Sequence, residues 1–512
     1  MAVARTSTNG KATKLEVRNP ATGEVLGTLP VHGAEDVAAA VQRARRAFDV
    51  WGSLSFKERR AHLLDLRREI VRRMGAMIDT IHGENGKPRN DAATEVLLAV
   101  THLTHAANRA ERLLKPRSVS SGLLANQRAR VSYEPLGVVG VIGPWNYPLY
   151  TPMGSIAYAL AAGNSVVFKP SELTPLTARL LAECAEAAIP IPDLLQVVTG
   201  FGETGSHLAK AKLDKLAFTG SPATGRRVMA AAAENLTPVL MELGGKDAMI
   251  VAADADLERA AKGAVFGALG NSGQACVAIE RVYVVQGVYE PFVGKVVEHA
   301  QRLTVGSEDR AHYGAMTMER QIDIVRDHVK DALAKGARAV LGGLDSFKGR
   351  FIDPIVLTDV TSDMKVMSEE TFGPVLPIVK VASVDEAVRL ANSTSYGLGS
   401  AIYGKHDVER TADRLRAGMT SINSVLAFAG ITNLPFGGVG DSGFGRIHGD
   451  EGLLEFTRVK STNYELFQVP GLSMVFQDPE EQLAQTKKMI KALYGGSILD
   501  DAAGLLQRIT RR

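Results

Sequence analysis

Between residues 138 and 234 one pattern recurs: a short unbroken apolar run, a stop rich in Gly, Pro or Ser, then a longer helix-like stretch. Val138–Ile142 (VVGVI) stops at Gly143-Pro144, 165–168 (SVVF) at Lys169-Pro170, and 216–218 (LAF) at Thr219-Gly220-Ser221, with a further run at 195–198. The intervening segments 151–162, 174–188, 203–210 and 222–234 have helical composition. Runs this short, without polar alternation, are expected as strands covered on both faces. Strands of that kind joined by helices build a parallel sheet, so the fold class is α/β. Parallel sheets take ligands beyond the carboxyl ends of their strands. Here those ends are 143–147, 169–172 and 219–225.

The flanking regions fit around that unit. Residues 34–115 carry helical stripes: Val37, Val41, Ala44, Phe48 and Trp51; then Leu63, Leu66, Ile70, Met77 and Ile81; then Val96, Ala99, Val100, Leu103, Ala107 and Ala110. A break at 83–88 (GENGKP) parts the last two. A second α/β unit is expected from Asp247–Val251 through 282–285, 339–341 and Val375–Val381, ending near Gly438. The tail 479–512 is amphipathic, with Ile498, Leu499, Ala502, Leu505, Leu506 and Ile509 on one helical face. That face reads as packing on its own fold or on a sister subunit, with a membrane surface as the alternative.

Length and charge narrow the function classes. At 512 residues the chain needs two or three domains. A net charge of +3 gives no reason to expect a nucleic-acid partner. The arginine pairs 45–46, 59–60, 67–68 and 72–73 alternate with acids as on solvated helix faces. Two cysteines, Cys184 and Cys276, allow neither a disulfide framework nor a four-thiolate zinc site. His102 and His105 lack a completing ligand set, so no metal is expected. No secretory h-region or membrane-length apolar run is visible, and the expected location is cytoplasmic.

Four groups are candidates for chemistry. Cys184 falls in line with Leu176, Leu180 and Ala188 and reads as core. Cys276 lies in a loop of small and polar residues (NSGQACV) after a helix expected at 256–270; such a thiol is either accessible or incidental. Glu242 ends an apolar stretch before Gly244-Gly245, as a desolvated general base or as half of a salt bridge. Asn146, between Pro144 and Pro148, is an oxyanion donor or an Asx turn. The segment 220–225 (GSPATG) follows a strand and opens a helix, so its backbone N–H groups can face a phosphate, although it is neither a P-loop nor a three-glycine dinucleotide fingerprint.

Taken together, 144–146 (PWN), 169–172 (KPSE), 218–221 (FTGS), 242–246 (ELGGK), 273–276 (GQAC), 370–374 (ETFGP) and 434–443 (LPFGGVGDSG) followed by His448-Gly449 form an ordered set. The set resembles the aldehyde dehydrogenase superfamily over roughly residues 15 to 460. The KPSE form and the C-terminal signature are similar to the class 3-like branch, and Glu280-Arg281 to succinate-semialdehyde dehydrogenases. The resemblance implies a Rossmann-like cofactor domain (1–122 and 139–244), a catalytic α/β domain (245–440) and a small β-flap for oligomerisation (123–138 and 455–478). It implies Cys276 as nucleophile, Glu242 as general base, and Asn146 with the Cys276 backbone N–H as oxyanion hole. It implies Lys169 and Glu172 at the adenosine ribose, Gly220 and Ser221 at the pyrophosphate, and Glu370 and Phe372 at the nicotinamide ribose and ring. Ile142, Pro144, Trp145, Ser171, Gly202, Phe218, Thr219 and Leu243 complete the implied cofactor site. The expected cofactor is NAD, with NADP possible. The implied reaction is oxidation of an aldehyde to an acid through a thioester on Cys276, in a homodimer or homotetramer. A coenzyme A-acylating enzyme and a catalytically silent homologue are the alternatives.

Overall fold

The computed structural model describes residues 3–6, 12–468, 474, 476 and 478–495. Two parallel sheets dominate it. The first has the order Leu195–Val197, Ser165–Lys169, Val138–Ile142, Lys215–Thr219, Val239–Glu242, with Gly443–Phe444 added antiparallel at the edge. The chain order reverses direction between Val138–Ile142 and Lys215–Thr219, so a crevice opens between the loops that leave them. The two central strands Val138–Ile142 and Ser165–Lys169 are buried at every position, as unbroken apolar runs require. Asp214 accepts the N–H of Val138 (2.7 Å), fixing the start of the central strand.

The second sheet runs Arg338–Leu341, Ile355–Thr358, Val375–Val381, Ile279–Val285, Asp247–Val251, Gly399–Tyr403, Met419–Ile422, parallel except for its first strand. Its two faces carry separate apolar cores, one against Glu319–Ala334 and Val384–Ala391, the other against Leu257–Leu269 and Tyr289–Gln301.

The N-terminal region departs from the expected pattern in two ways. Ala12–Arg18 and Val25–Pro30 pair antiparallel, with Val3–Thr6 alongside. Leu15, Val17 and Leu29 form a small core of their own, but alternation over so few residues gives little signal beforehand. The second expected stripe is two helices, Phe56–Arg72 and Met74–Asn85, hinged at Arg73, which has non-helical backbone angles (φ −94°, ψ 16°). Ser55 and Glu58 close a capping box at the start of the first. Gly86, in the left-handed region at φ 88°, ends the second. The fourth helix is Arg89–Leu114.

By internal contacts the chain divides into a large unit, 1–113 and 135–457, and a small one, 114–134 and 458–512. Val138 therefore stands in the central strand of the first sheet, not in a flap ending at 138. In the small unit Arg117–Val119, Gln127–Pro135 and Thr457–Glu465 make a three-stranded sheet whose last strand is exposed along its length. The helix Pro479–Tyr494 follows, capped by Asp478. The expected apolar face from Ile498 to Ile509 lies outside the described residues. Among those described, no helix is long and apolar enough to cross a membrane.

Candidate active site

A cavity of about 750 Å³ opens at the carboxyl ends of the first sheet. The loop after Val138–Ile142 contributes Ile142, Pro144, Trp145 and Asn146 to its wall. The loop after Ser165–Lys169 contributes Lys169, Ser171 and Glu172, and the next loop contributes Phe218, Thr219, Gly220 and Ser221. Gly202 and Leu243 complete that side. Glu370, Phe372 and Cys276 reach the same space from the second sheet. Sixteen of the seventeen residues singled out in the sequence thus share one wall.

The exception is Glu242. It ends the Val239–Glu242 strand, and its backbone carbonyl accepts the N–H of Gly220 at 3.1 Å. Its side chain is 3% exposed and points off the cavity wall, with Oε1 2.8 Å from where a Cβ on Gly437 would stand. Neither carboxylate oxygen meets a hydrogen-bond partner among the described residues. Burial pushes its pKa well above the carboxylate range, and the nearby Arg446 offsets only part of that.

Cys276 is half-buried and follows a strained turn. Asn271 (φ 51°), Ser272 (φ 59°) and Gly273 (φ 70°) are consecutive left-handed residues, a conformation that persists only when its surroundings enforce it. They do so here: Asn271 Nδ2 donates to the Asn146 and Gln274 carbonyls (both 3.2 Å), and Ser272 Oγ donates to Gly314 O (2.7 Å). Gln274 Nε2 donates to Asn271 O, and Gln274 Oε1 accepts the Thr317 N–H (2.9 Å). Close approach also explains Gly245, where a Cβ would stand 2.4 Å from the Cys276 carbonyl oxygen. Burial, and then the neighbouring Glu242, Asp247 and Glu370, raise the Cys276 thiol pKa.

Asn146 is drawn into the same network. Its Nδ2 donates to Gln274 O at 2.9 Å, two residues before the cysteine. Its backbone carbonyl accepts from Lys87 Nζ at 2.8 Å. Lys87 and Glu95 form a wholly buried pair (2.7 Å), and the second Glu95 oxygen accepts the N–H groups of Leu149 (2.8 Å) and Tyr150 (3.1 Å). Helix Arg89–Leu114 and helix Met74–Asn85 with its cap thereby fix the strand-end loop from behind.

The other side of the cavity is held by a second buried pair, Lys246 with Glu280. Glu280 accepts the N–H groups of Thr371 and Phe372 (both 2.8 Å), and Phe372 sits at φ 51° with its ring edge-on to Trp145 at 5.4 Å. Glu370 accepts the Gly245 N–H at 3.1 Å, and burial lifts its pKa to about 8. Glu280 entered the sequence reading only through resemblance; nothing in its neighbours signals that it braces a turn 91 residues on.

The far end of the cavity has a different make-up. Ser221 caps Pro222–Ala233, its hydroxyl accepting the Thr224 N–H at 3.4 Å. Lys169 is buried and stands 3.6 Å from Glu172, and burial lowers its pKa. Thr224, within the 220–225 segment, lines this end together with Arg227, Val228 and Ala231; the last three were not foreseen, although the four are spaced as one helical stripe behind the capping serine. A helix N-terminus, an apolar slot and a lysine–glutamate pair at the rim suit a dinucleotide's pyrophosphate, adenine and ribose in turn. Among the described residues no group of three His, Cys, Asp or Glu is placed to hold a metal ion.

Comparison with known proteins agrees with this geometry. The aldehyde dehydrogenase family model matches residues 6–462. The chain is 41% identical to a 4,4'-diapolycopene aldehyde oxidase of Methylomonas sp. over 451 residues, 87% of this chain and 84% of the relative. It is 39% identical to a putative NADP(+) succinate-semialdehyde dehydrogenase of Mycobacterium ulcerans, covering 85% and 86% of the two chains. Among solved structures, an NADP-dependent glyceraldehyde-3-phosphate dehydrogenase from Bacillus halodurans in complex with NADP superposes with a TM-score of 0.85 at 35% identity, covering 90% of this chain and 97% of that one. A succinate-semialdehyde dehydrogenase from Burkholderia pseudomallei gives 0.84 at 36%, covering 88% and 94%. With the family model spanning nearly the whole chain and relatives near 40% identical, the protein belongs to the aldehyde dehydrogenase family and is an NAD(P)-dependent aldehyde-oxidising enzyme.

Proposed function

We propose that the enzyme converts a neutral, largely apolar aldehyde to its acid through a thioester on Cys276, released by water that Glu242 deprotonates. The observation that carries this reading is the meeting of Cys276 and Asn146 on the wall of the one cavity that also gathers the fourteen residues suited to a dinucleotide.

Once Cys276 has given its proton to a solvent water, Sγ bonds to the carbonyl carbon, and the carbonyl π pair moves to oxygen. Asn146 has two amide hydrogens. One is engaged by Gln274 O, and the second, with the Cys276 backbone N–H, is free to meet the oxyanion. The oxyanion pair re-forms the carbonyl as hydride leaves that carbon, giving the thioester, and a nicotinamide held here would supply the hydride acceptor. Trp145, Glu370 and Phe372 position the ring and its ribose. Glu242 rotates from its pocket beside Gly437 toward Cys276 and takes a proton from water. The water oxygen bonds to the acyl carbon and Sγ leaves as thiolate.

Apolar substrate preference rests on two aromatic groups, Tyr150 on the helix that follows Asn146 and Phe428. The Tyr150 hydroxyl is engaged by Ala429 O (2.6 Å), and Phe428 is buried. The nearby buried ammonium groups, Lys87 and Lys246, are already paired with Glu95 and Glu280, so neither is left for a second substrate carboxylate. A panel of aliphatic, aromatic and carboxylated aldehydes tests this. Aliphatic or aromatic aldehydes should exceed succinate semialdehyde in kcat/KM, and the reverse order would overturn the preference. Turnover without coenzyme A is expected from the presence of Glu242; strict dependence on it would identify an acylating enzyme.

The cofactor domain in this reading is the first sheet with its helices, taking in the whole strand Val138–Ile142 and leaving 114–122 to the small unit, and 245–440 serves as catalytic domain. The exposed edge strand Thr457–Glu465, with Val459, Tyr464, Leu466 and Phe467 open to solvent, supports assembly into a homodimer or homotetramer. Light scattering that returned a monomer would refute it. Two free thiols suit the cytoplasm.

A further inference from the structure

Glu242 rests in a pocket shaped by the absence of a side chain. A Cβ on Gly437 would stand 2.8 Å from Glu242 Oε1, 2.8 Å from the Gly445 carbonyl oxygen and 2.9 Å from Arg446 Cδ, so these three atoms surround one small space. Arg446 Nη1 donates to that same Gly445 oxygen at 2.6 Å and to Gly438 O at 2.9 Å. The Cδ and the acceptor of Nη1 both border the space, so the guanidinium lies alongside the pocket that holds the carboxylate. The two groups do not pair directly. Among the described residues neither Glu242 oxygen has a hydrogen-bond partner, and Arg446 makes no ion pair.

Burial disfavours the Glu242 charge most, Arg446 favours it, and Glu455, on the helix Gly449–Glu455, disfavours it. Glu455 Oε1 accepts the Arg446 N–H at 3.3 Å, and its other oxygen pairs with Lys215 on the strand next to that of Glu242. On the cavity side stand the Cys276 thiol and the Tyr150 hydroxyl. Arg446 is therefore the cation that favours a carboxylate here. It lies off the cavity wall, so rotation toward Cys276 carries the carboxylate away from it.

We infer that Arg446 is a positioning residue that retains ionised Glu242 in the Gly437 pocket and so governs how much carboxylate is released to the thioester. This rests on Glu242 being the general base. Removing the cation destabilises the retracted carboxylate and leaves the retracted acid and the advanced carboxylate as they were. Ionisation then moves to higher pH, and once ionised a larger share of Glu242 stands beside Cys276.

The test follows decay of the acyl-enzyme. Full-length enzyme is mixed with aldehyde and NAD(P), jumped to a series of pH values, acid-quenched and read by mass spectrometry. The wild-type decay rate should rise with pH to a plateau, and Glu242→Gln should lose that rise. A rise kept in Glu242→Gln refutes the general base itself, whatever Arg446 does. Arg446→Gln should move the midpoint up by about one pH unit and lift the plateau by about tenfold, the low end for an opposite charge at close range, with the low-pH limb unchanged. Arg446→Lys, which keeps the charge, should return the midpoint most of the way. Glu455→Gln should move midpoint and plateau down. An unmoved midpoint in Arg446→Gln, or a plateau that falls, overturns the inference, because loss of a scaffold slows the step at every pH. The NAD(P)H burst of each variant shows that the site is assembled. If Arg446→Gln lacks the burst, Glu455→Gln decides, and a midpoint that does not fall there overturns the inference.

Discussion

At the Cys276 end of the cavity nearly every polar neighbour is already engaged: Asn146, Asn271, Ser272 and Gln274 bond one another and the backbone, and Lys87 and Glu95 close the network behind them. At the far end of the cavity, Arg227 makes no ion pair among the described residues, Glu172 is part-exposed, and a helix N-terminus faces the opening. The first end has the rigidity that positioning a nucleophile demands, since an ångström of drift erodes orientation. The second has the unsatisfied donors that recognition demands. A corollary is that substitutions should do most harm where the network is closed and least where it is open.

The largest effect should follow loss of the general base. Glu242→Gln is expected to slow steady-state turnover by about 10²- to 10⁴-fold while leaving an initial burst of NAD(P)H, because acylation does not use the water. Stopped-flow absorbance checks this, and a variant lacking the burst would move Glu242 into the first step. Asn146→Ala should cost about 10²- to 10³-fold in kcat, with folding retained.

Behind the site, Lys87→Met leaves Glu95 buried without its cation. Removing one member of a buried pair costs about 3–5 kcal/mol, to be read from urea unfolding. A cost near zero would mean that the network around Asn146 is ornamental. The smallest effect belongs to the open end: Ser221→Ala removes one cap, worth about 1 kcal/mol, and should raise the Kd for cofactor only severalfold.

Proton uptake sharpens the same contrast. Glu242 acts as a carboxylate, and burial favours its neutral form, so the deacylation rate should rise with pH through a midpoint above the ordinary carboxylate value of 4.5. A rate already flat at pH 5 would place the working carboxylate in a solvated position.

The sheet and the cavity wall were legible because burial on two faces writes unbroken apolar runs, and ligand loops must follow them. The strand Val138–Ile142 and the helix Pro222–Ala233 fall within a residue or so of expectation for that reason. What supports the chemistry was not legible. Lys87 meets Asn146 across 59 positions, and Glu280 meets Phe372 across 92. Long-range hydrogen bonds of this kind leave no period in a sequence. The short antiparallel sheet at the N-terminus and the hinge at Arg73 were missed because two or three alternating residues, or one departure from helical backbone angles, do not rise above composition. The orientation of Glu242 was equally hidden, since strand position fixes where a side chain starts but not which rotamer packing selects.

The central claim is that Cys276 carries the acyl group. It is tested most directly by rapid acid quench of Glu242→Gln with aldehyde and NAD(P), followed by peptide mass spectrometry. One acyl adduct per subunit on the peptide holding Cys276, formed in step with the NAD(P)H burst, is the expected result. A burst with no adduct, or an adduct on Cys184, would contradict the account.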